Sequence, residues 1–190
     1  MKSVITAIES VSPLPSTLIS LLEQQLAHHK LPANSLLLRP GQISDRIFFV
    51  EQGLIRGYYL KGDKDISTGF MAEGQFAISP GSFYTQQPSF EYLELLEDSL
   101  LWSLTHNQLS VLYELYPPFN YVGRVVTEQY YVKSELRTHK LRMLSAEERY
   151  DWFVIVYAAL LNRLSGKHIA SFLGLTPETI SRIRARKAHN

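Results

Sequence analysis

Apolar and polar positions divide the 190-residue chain into three kinds of pattern. In LPSTLISLLEQQLAHH (14–29) apolar side chains recur at Leu18, Leu21, Leu22 and Leu26, with Ser16 as an N-cap candidate. That spacing predicts an amphipathic helix. From Ser35 to about Leu104 the pattern shortens. SLLLR is followed by PGQ, RIFFVEQ by Gly53, LIRGYYL by KGDKD and STGFMA by EGQ. Short runs rich in β-branched and aromatic residues, cut by turn signals, predict an antiparallel double-sheet β-roll of jelly-roll type. Gly41, Gly53, Gly62, Gly74 and Gly81 recur as hairpin punctuation.

Helical spacing returns at His106. HNQLSVLYELYPP predicts a short helix stopped by Pro117 and Pro118, and the chain then runs from Phe119 to Leu144 without a proline. Positions 122, 125, 129, 132, 136, 139 and 143 follow 3-4 spacing and hold Val, Val, Gln, Val, Leu, His and Met. A seam centred on Val122, Val125, Val132 and Leu136 fits packing between two subunits, and equally a helix lying on its own β-domain. Ser145 caps a further helix, AEERYDWFVIVY, with Glu147 and Glu148 in the first turn where the macrodipole favours acids.

The last pattern is IASFLGLTPETISRIRARK (169–187). KHIASFL forms a short helix, Gly174 stops it, Leu175 fills the corner, Thr176 caps the next helix and Pro177 occupies its first position. Helix, tight turn, helix is a helix-turn-helix layout. Ile180 and Ile183 face inward. Glu178, Ser181, Arg182 and Ala185 fall on one outward stripe, the spacing with which Arg and Glu can read guanine and cytosine in a major groove. Thr176 and Thr179 sit at the helix start, where phosphates bind, and Arg184, Arg186 and Lys187 add cations for the backbone. A plain i,i+4 surface pair of Glu178 and Arg182 is the alternative.

Charge sharpens this division. Residues 1–132 hold 8 Lys and Arg against 13 Asp and Glu, whereas residues 133–190 hold 11 against 5. An acidic body with a basic tail is the distribution expected when only the tail meets a polyanion, although an uneven solvated surface gives it too. No apolar run approaches the length of a membrane span, and MKSVITAIES lacks the features of a signal peptide. Cysteine is absent, which excludes disulfides, thiol nucleophiles and thiolate-bound metals and suits a cytoplasmic location. The six histidines show no i,i+4 pair and no HxH, so no metal site is expected; His28 and His29 are read as helical. Glu91, Glu94, Glu97 and Asp98 have no partner base or nucleophile and read as a solvated strand-and-turn surface, so no catalytic residue is assigned. Phe83, Tyr84, Phe90 and Tyr92 read as roll core or as pocket lining.

Taken together, LLLRPGQISDRIFFVEQGLIRGYYL, ISTGFMAEGQF, SAEERY and IASFLGLTPETISRIR resemble the Crp/Fnr family of bacterial transcription regulators. The resemblance implies an α+β chain: a cyclic nucleotide-binding-like effector domain with flanking helices (1–117), a dimerisation helix (118–144) and an all-α helix-turn-helix domain (145–190). It further implies a homodimer on double-stranded DNA, recognition helices about 34 Å apart, and RNA polymerase as a further partner. Members that bind cyclic AMP carry a Gly-Glu pair and an Arg-Ser/Thr-Ala trio. Here Gln75 follows Gly74, and no arginine lies between Arg56 and Arg124, so a cyclic phosphate loses its bidentate partner. Gly74, Gln75, Gly81, Ser82, Gln87 and Ser89 remain as an effector pocket for some other anion. Because the chain stops at Asn190, no wing is expected after the recognition helix, and the missing cysteines exclude the iron–sulfur branch. The alternative reading is a small-molecule-binding signalling module without DNA-binding activity.

Overall fold

In the computed structural model, which describes residues 1–188, helix α1 (Lys2–Glu9) precedes the expected N-terminal helix α2 (Ser16–Gln25). The N-cap of α2 is Pro15, and Ser16 is already helical. This helix ends before the two histidines. Ala27–Leu31 is strand β1, so His28 and His29 are strand residues, a correction to the helical reading. Local spacing favours helix through LAHH, but β1 pairs over its whole length with another strand, Ala27 opposite Ser103 through Leu31 opposite Ser99. Ladder bonds to a sheet outweigh a weak helical preference at a helix end. His28 stacks on Trp102 at 4.4 Å, and His29 shares a 2.8 Å hydrogen bond with the Ser103 hydroxyl.

The roll continues with β2 (Leu36–Leu38), β3 (Arg46–Gln52), β4 (Ile55–Lys61), β5 (Lys64–Met71) and β6 (Phe76–Ala77). A short helix α3 (Pro80–Thr85) follows, then β7 (Tyr92–Leu95) and β8 (Ser99–Thr105). The strands form two four-stranded sheets, ordered β1-β8-β3-β6 and β2-β7-β4-β5. Alternation sorts their side chains between two cores. Phe48, Val50, Ile55, Leu93, Leu95 and Leu101 fill the space inside the roll. Phe49 and Leu104 point the other way, onto Ile5, Leu18, Leu22 and Leu112 of the flanking helices.

The helices after the roll are α4 (His106–Leu115), α5 (Phe119–Met143), α6 (Ala146–Val156), α7 (Gly166–Leu173) and α8 (Pro177–Ala188), with a 3-10 turn at Ala158–Leu160. Capping boxes start α4 at Thr105 with Gln108 and α6 at Ser145 with Glu148. Two compact units result. One comprises Met1–Tyr59 and Thr68–Glu128; the other comprises Leu60–Ser67 and the chain from Gln129 onward. The division falls inside α5, because Phe119 and Val122 are buried in the core of the first unit. In the second unit Phe153, Ile169, Phe172, Leu173, Ile180 and Ile183 form the buried centre, with Phe172 at 5.7 Å from Phe153 and under the Arg137 guanidinium at 4.4 Å.

Candidate nucleic-acid interface

The α7–α8 element is built from its caps inward. The Ser165 hydroxyl accepts from the His168 N–H at 3.1 Å and starts α7. Gly174 ends it in the left-handed region, φ 65° and ψ 36°, where a residue without Cβ sits at least cost. The Leu175 N–H then returns to the Ala170 carbonyl at 2.8 Å, and Arg149 Nη1 donates to the Leu173 carbonyl at 2.7 Å, tying the end of α7 to α6. Thr176 caps α8 by accepting from the Thr179 N–H at 3.2 Å, and Pro177 is the first helical residue. Ile180 and Ile183 are each 1% exposed, so the inward face is as expected.

Glu178, Ser181, Arg182 and Ala185 are all exposed on the opposite face. Backbone and Thr176 hydrogen bonds, with Arg182 nearby, hold the Glu178 carboxyl below its ordinary value, so the stripe presents a charged acid beside a charged guanidinium. Arg182 Nη2 donates to Thr179 Oγ1 at 3.4 Å. The basic end of α8 is arranged differently. Arg184 Nε donates to the Tyr150 hydroxyl at 3.0 Å, Arg186 pairs with Glu147 at 3.2 Å, and Lys187 pairs with Asp151 at 2.8 Å and Glu147 at 3.8 Å.

The expected dimer seam is only partly exposed. Val122, 4% exposed, belongs to its own unit's core and leaves the seam, because the start of α5 packs beside α4. Val125 is half-buried, while Val132 and Leu136 are exposed, as are Tyr131 and Met143.

The six effector-pocket residues fall on separate segments of the roll. Gly74 and Gln75 form the turn between β5 and β6, where the Gln75 side chain accepts from the Ala72 N–H. Gly81 and Gln87 are exposed, whereas Ser82 and Ser89 are buried and already engaged. Ser82 Oγ accepts from the Ser44 N–H at 2.9 Å and donates to the Gln87 carbonyl; Ser89 Oγ accepts from the Glu91 N–H at 2.9 Å and lies 3.2 Å from Ser79 Oγ. The ionisable group in this cluster is a carboxyl. Glu91 is 6% exposed and accepts from Thr68 Oγ1, and burial pushes its pKa up. An anionic phosphate would meet committed hydroxyls and an acid, so the cluster does not fit a cyclic nucleotide's phosphate. A cavity of about 290 Å³ lies beside this cluster, lined by Leu37, Leu38, Ser44, Phe48 and Leu93 among others and by none of the six.

Comparison with known proteins matches the sequence model of the cyclic nucleotide-binding domain to residues 28–116. Among solved structures, FixK2 from Bradyrhizobium japonicum superposes with a TM-score of 0.77 at 17% identity, covering 86% of this chain and 85% of that one. The c-di-GMP responsive global regulator CLP of Xanthomonas campestris gives 0.72 at 15% identity, covering 92% of each chain. A Eubacterium rectale structure assigned to the Crp/Fnr family of transcriptional regulators gives 0.74 at 14%, covering 93% of this chain and 85% of that one. No curated protein sequence matches. The chain has the Crp/Fnr regulator fold.

Within this Crp/Fnr fold, three features escaped the sequence reading. Glu91 is buried, not part of a solvated surface; it lies one residue before β7 and continues the alternation of the buried Leu93 and Leu95, and that period of two was the available signal. Phe83 is core, while Tyr84 and Phe90 are exposed. The acids of α6 lie against the basic end of α8, a pairing that no local spacing announces. Among the described residues there is no cluster of His, Cys, Asp or Glu able to hold a metal ion, and no helix is long and apolar enough to cross a membrane. His189 lies outside the described residues.

Proposed function

We propose that this chain is a sequence-specific, DNA-binding transcriptional regulator that acts as a homodimer in the cytoplasm. The observation that carries the reading is the exposed stripe of Glu178, Ser181 and Arg182 on a capped helix whose opposite face is fully buried. A side-chain set with little bulk, a guanidinium and a charged carboxylate suits base edges in a major groove. Thr176 and Thr179 at the N-terminus of α8 approach phosphates, and the exposed Val132 and Leu136 on α5 supply the subunit contact. RNA polymerase is a further partner under this reading. Catalysis has no place in it: the matched domain and the similar structures are regulatory.

The test is selection of purified protein on random duplexes at two salt concentrations, followed by sequencing. An inverted repeat with half-sites one helical turn apart is expected. Recovery of no motif at either salt would refute the regulator and leave the second reading, a signalling module whose roll binds a small molecule. The match of residues 28–116 to a cyclic nucleotide-binding domain favours that reading.

A further inference from the structure

Helix α6 carries Glu147, Tyr150 and Asp151 at i, i+3 and i+4, a spacing that places them on one face. That face holds all three basic side chains at the end of α8. Arg184 lies on Tyr150 through a 3.0 Å hydrogen bond, with its guanidinium 5.7 Å from the ring centroid. Glu147 bridges Arg186 at 3.2 Å and Lys187 at 3.8 Å, and Asp151 holds Lys187 at 2.8 Å. These are the cations that the sequence alone offers to phosphates. The stripe residues Glu178, Ser181 and Arg182 make no such bond to α6 among the contacts described. One helix therefore presents exposed base-reading groups and, one to two turns later, cations already engaged by α6, two of them by carboxylates.

We propose that the Glu147–Tyr150–Asp151 face of α6 is an electrostatic brake on DNA binding. It occupies Arg186 and Lys187 in the free protein, so phosphate oxygens must displace carboxylates to engage them. Sequence-independent affinity comes from phosphate contacts, whereas base reading does not need these two cations. The brake thus lowers the affinity for arbitrary DNA and leaves the stripe free. The hydrogen bond from Lys187 to Asp151 also raises the lysine pKa, so its charge persists while it is held. This inference rests on the DNA-binding reading above.

The test is the salt dependence of binding to a random duplex for four proteins: wild type, E147Q/D151N, R186Q/K187Q and the quadruple variant. Glu148 stays untouched because it completes the capping box of α6. Circular dichroism checks that each variant is folded. With two cations released, the slope of log affinity against log salt should steepen by about 1.8 per protomer, equivalent to roughly tenfold more affinity lost between 50 and 200 mM salt. R186Q/K187Q should change little in the wild-type background and should abolish the gain in E147Q/D151N. That coupling separates the brake from a simple change in net charge, which would act additively. The proposal is overturned by an unchanged slope in E147Q/D151N, or by equal effects of R186Q/K187Q in both backgrounds. If neither wild type nor E147Q/D151N binds any duplex at 50 mM salt, the DNA-binding reading itself falls, and the brake with it.

Discussion

Replacing Gly174 with Ala tests the turn on which the candidate interface depends. Gly174 has φ +65°, and a Cβ placed there would have as its nearest neighbour Arg149 Nη1 at 3.5 Å, an ordinary contact. Crowding therefore contributes little, and the penalty is the left-handed backbone itself, about 1–2 kcal/mol for an L-residue. Asn tolerates this region better, so Gly174→Asn should cost clearly less than Gly174→Ala. Urea unfolding at 25 °C reads the difference through Trp152, which lies 6.2 Å from Phe172 in the same unit. A Trp102→Phe background removes the other tryptophan. With a slope of about 1–3 kcal/mol per molar urea, the midpoint for Ala should fall by about 0.3–2 M. A drop of less than about 0.2 M, or an Asn variant as unstable as the Ala variant, would show that α7 does not end in a strained left-handed turn.

Gly123→Ala should destabilise the first unit by about 1–3 kcal/mol, since the new Cβ would collide with the Tyr113 ring and hydroxyl. Adding Tyr113→Phe should recover part of that loss in a double-mutant unfolding cycle, and no recovery would place the strain elsewhere. Burial raises the Glu91 pKa, so the stability its protonated form contributes is complete below about 4.5 and is lost as pH rises through the raised value. Glu91→Gln lacks that loss, and its melting temperature relative to wild type should climb between pH 4.5 and pH 7.5. A pH-independent difference would argue against a buried, protonatable Glu91. Arg182→Ala should weaken binding to the selected operator by about 1–3 kcal/mol and relax preference at one base pair per half-site. Equal weakening on every duplex in a competition titration would remove Arg182 from base reading.

Much of the second unit was legible because its signals are local. Ser145, Gly174, Thr176 and Pro177 each satisfy or leave unneeded a backbone group within a few residues of themselves. Such signals are complete in the chain, and so was the inward-outward sorting of Ile180 and Ile183 against Glu178 and Arg182. The strand-rich middle was legible for a similar reason, as short apolar runs between turn residues allow little else. The tertiary structure decided whatever depends on partners distant in sequence. AHHKL became β1 because SLLWS offered it a ladder, and Val122 went inward because the flanking helices cover the start of α5. Glu91, just before β7, became a buried acid because the fold set its carboxyl against Thr68. Arg184, Arg186 and Lys187 were read as one basic end, yet each is placed by a residue 34 to 39 positions away on α6. Backbone conformation answers to neighbours along the chain, whereas burial and ion pairing answer to neighbours in space.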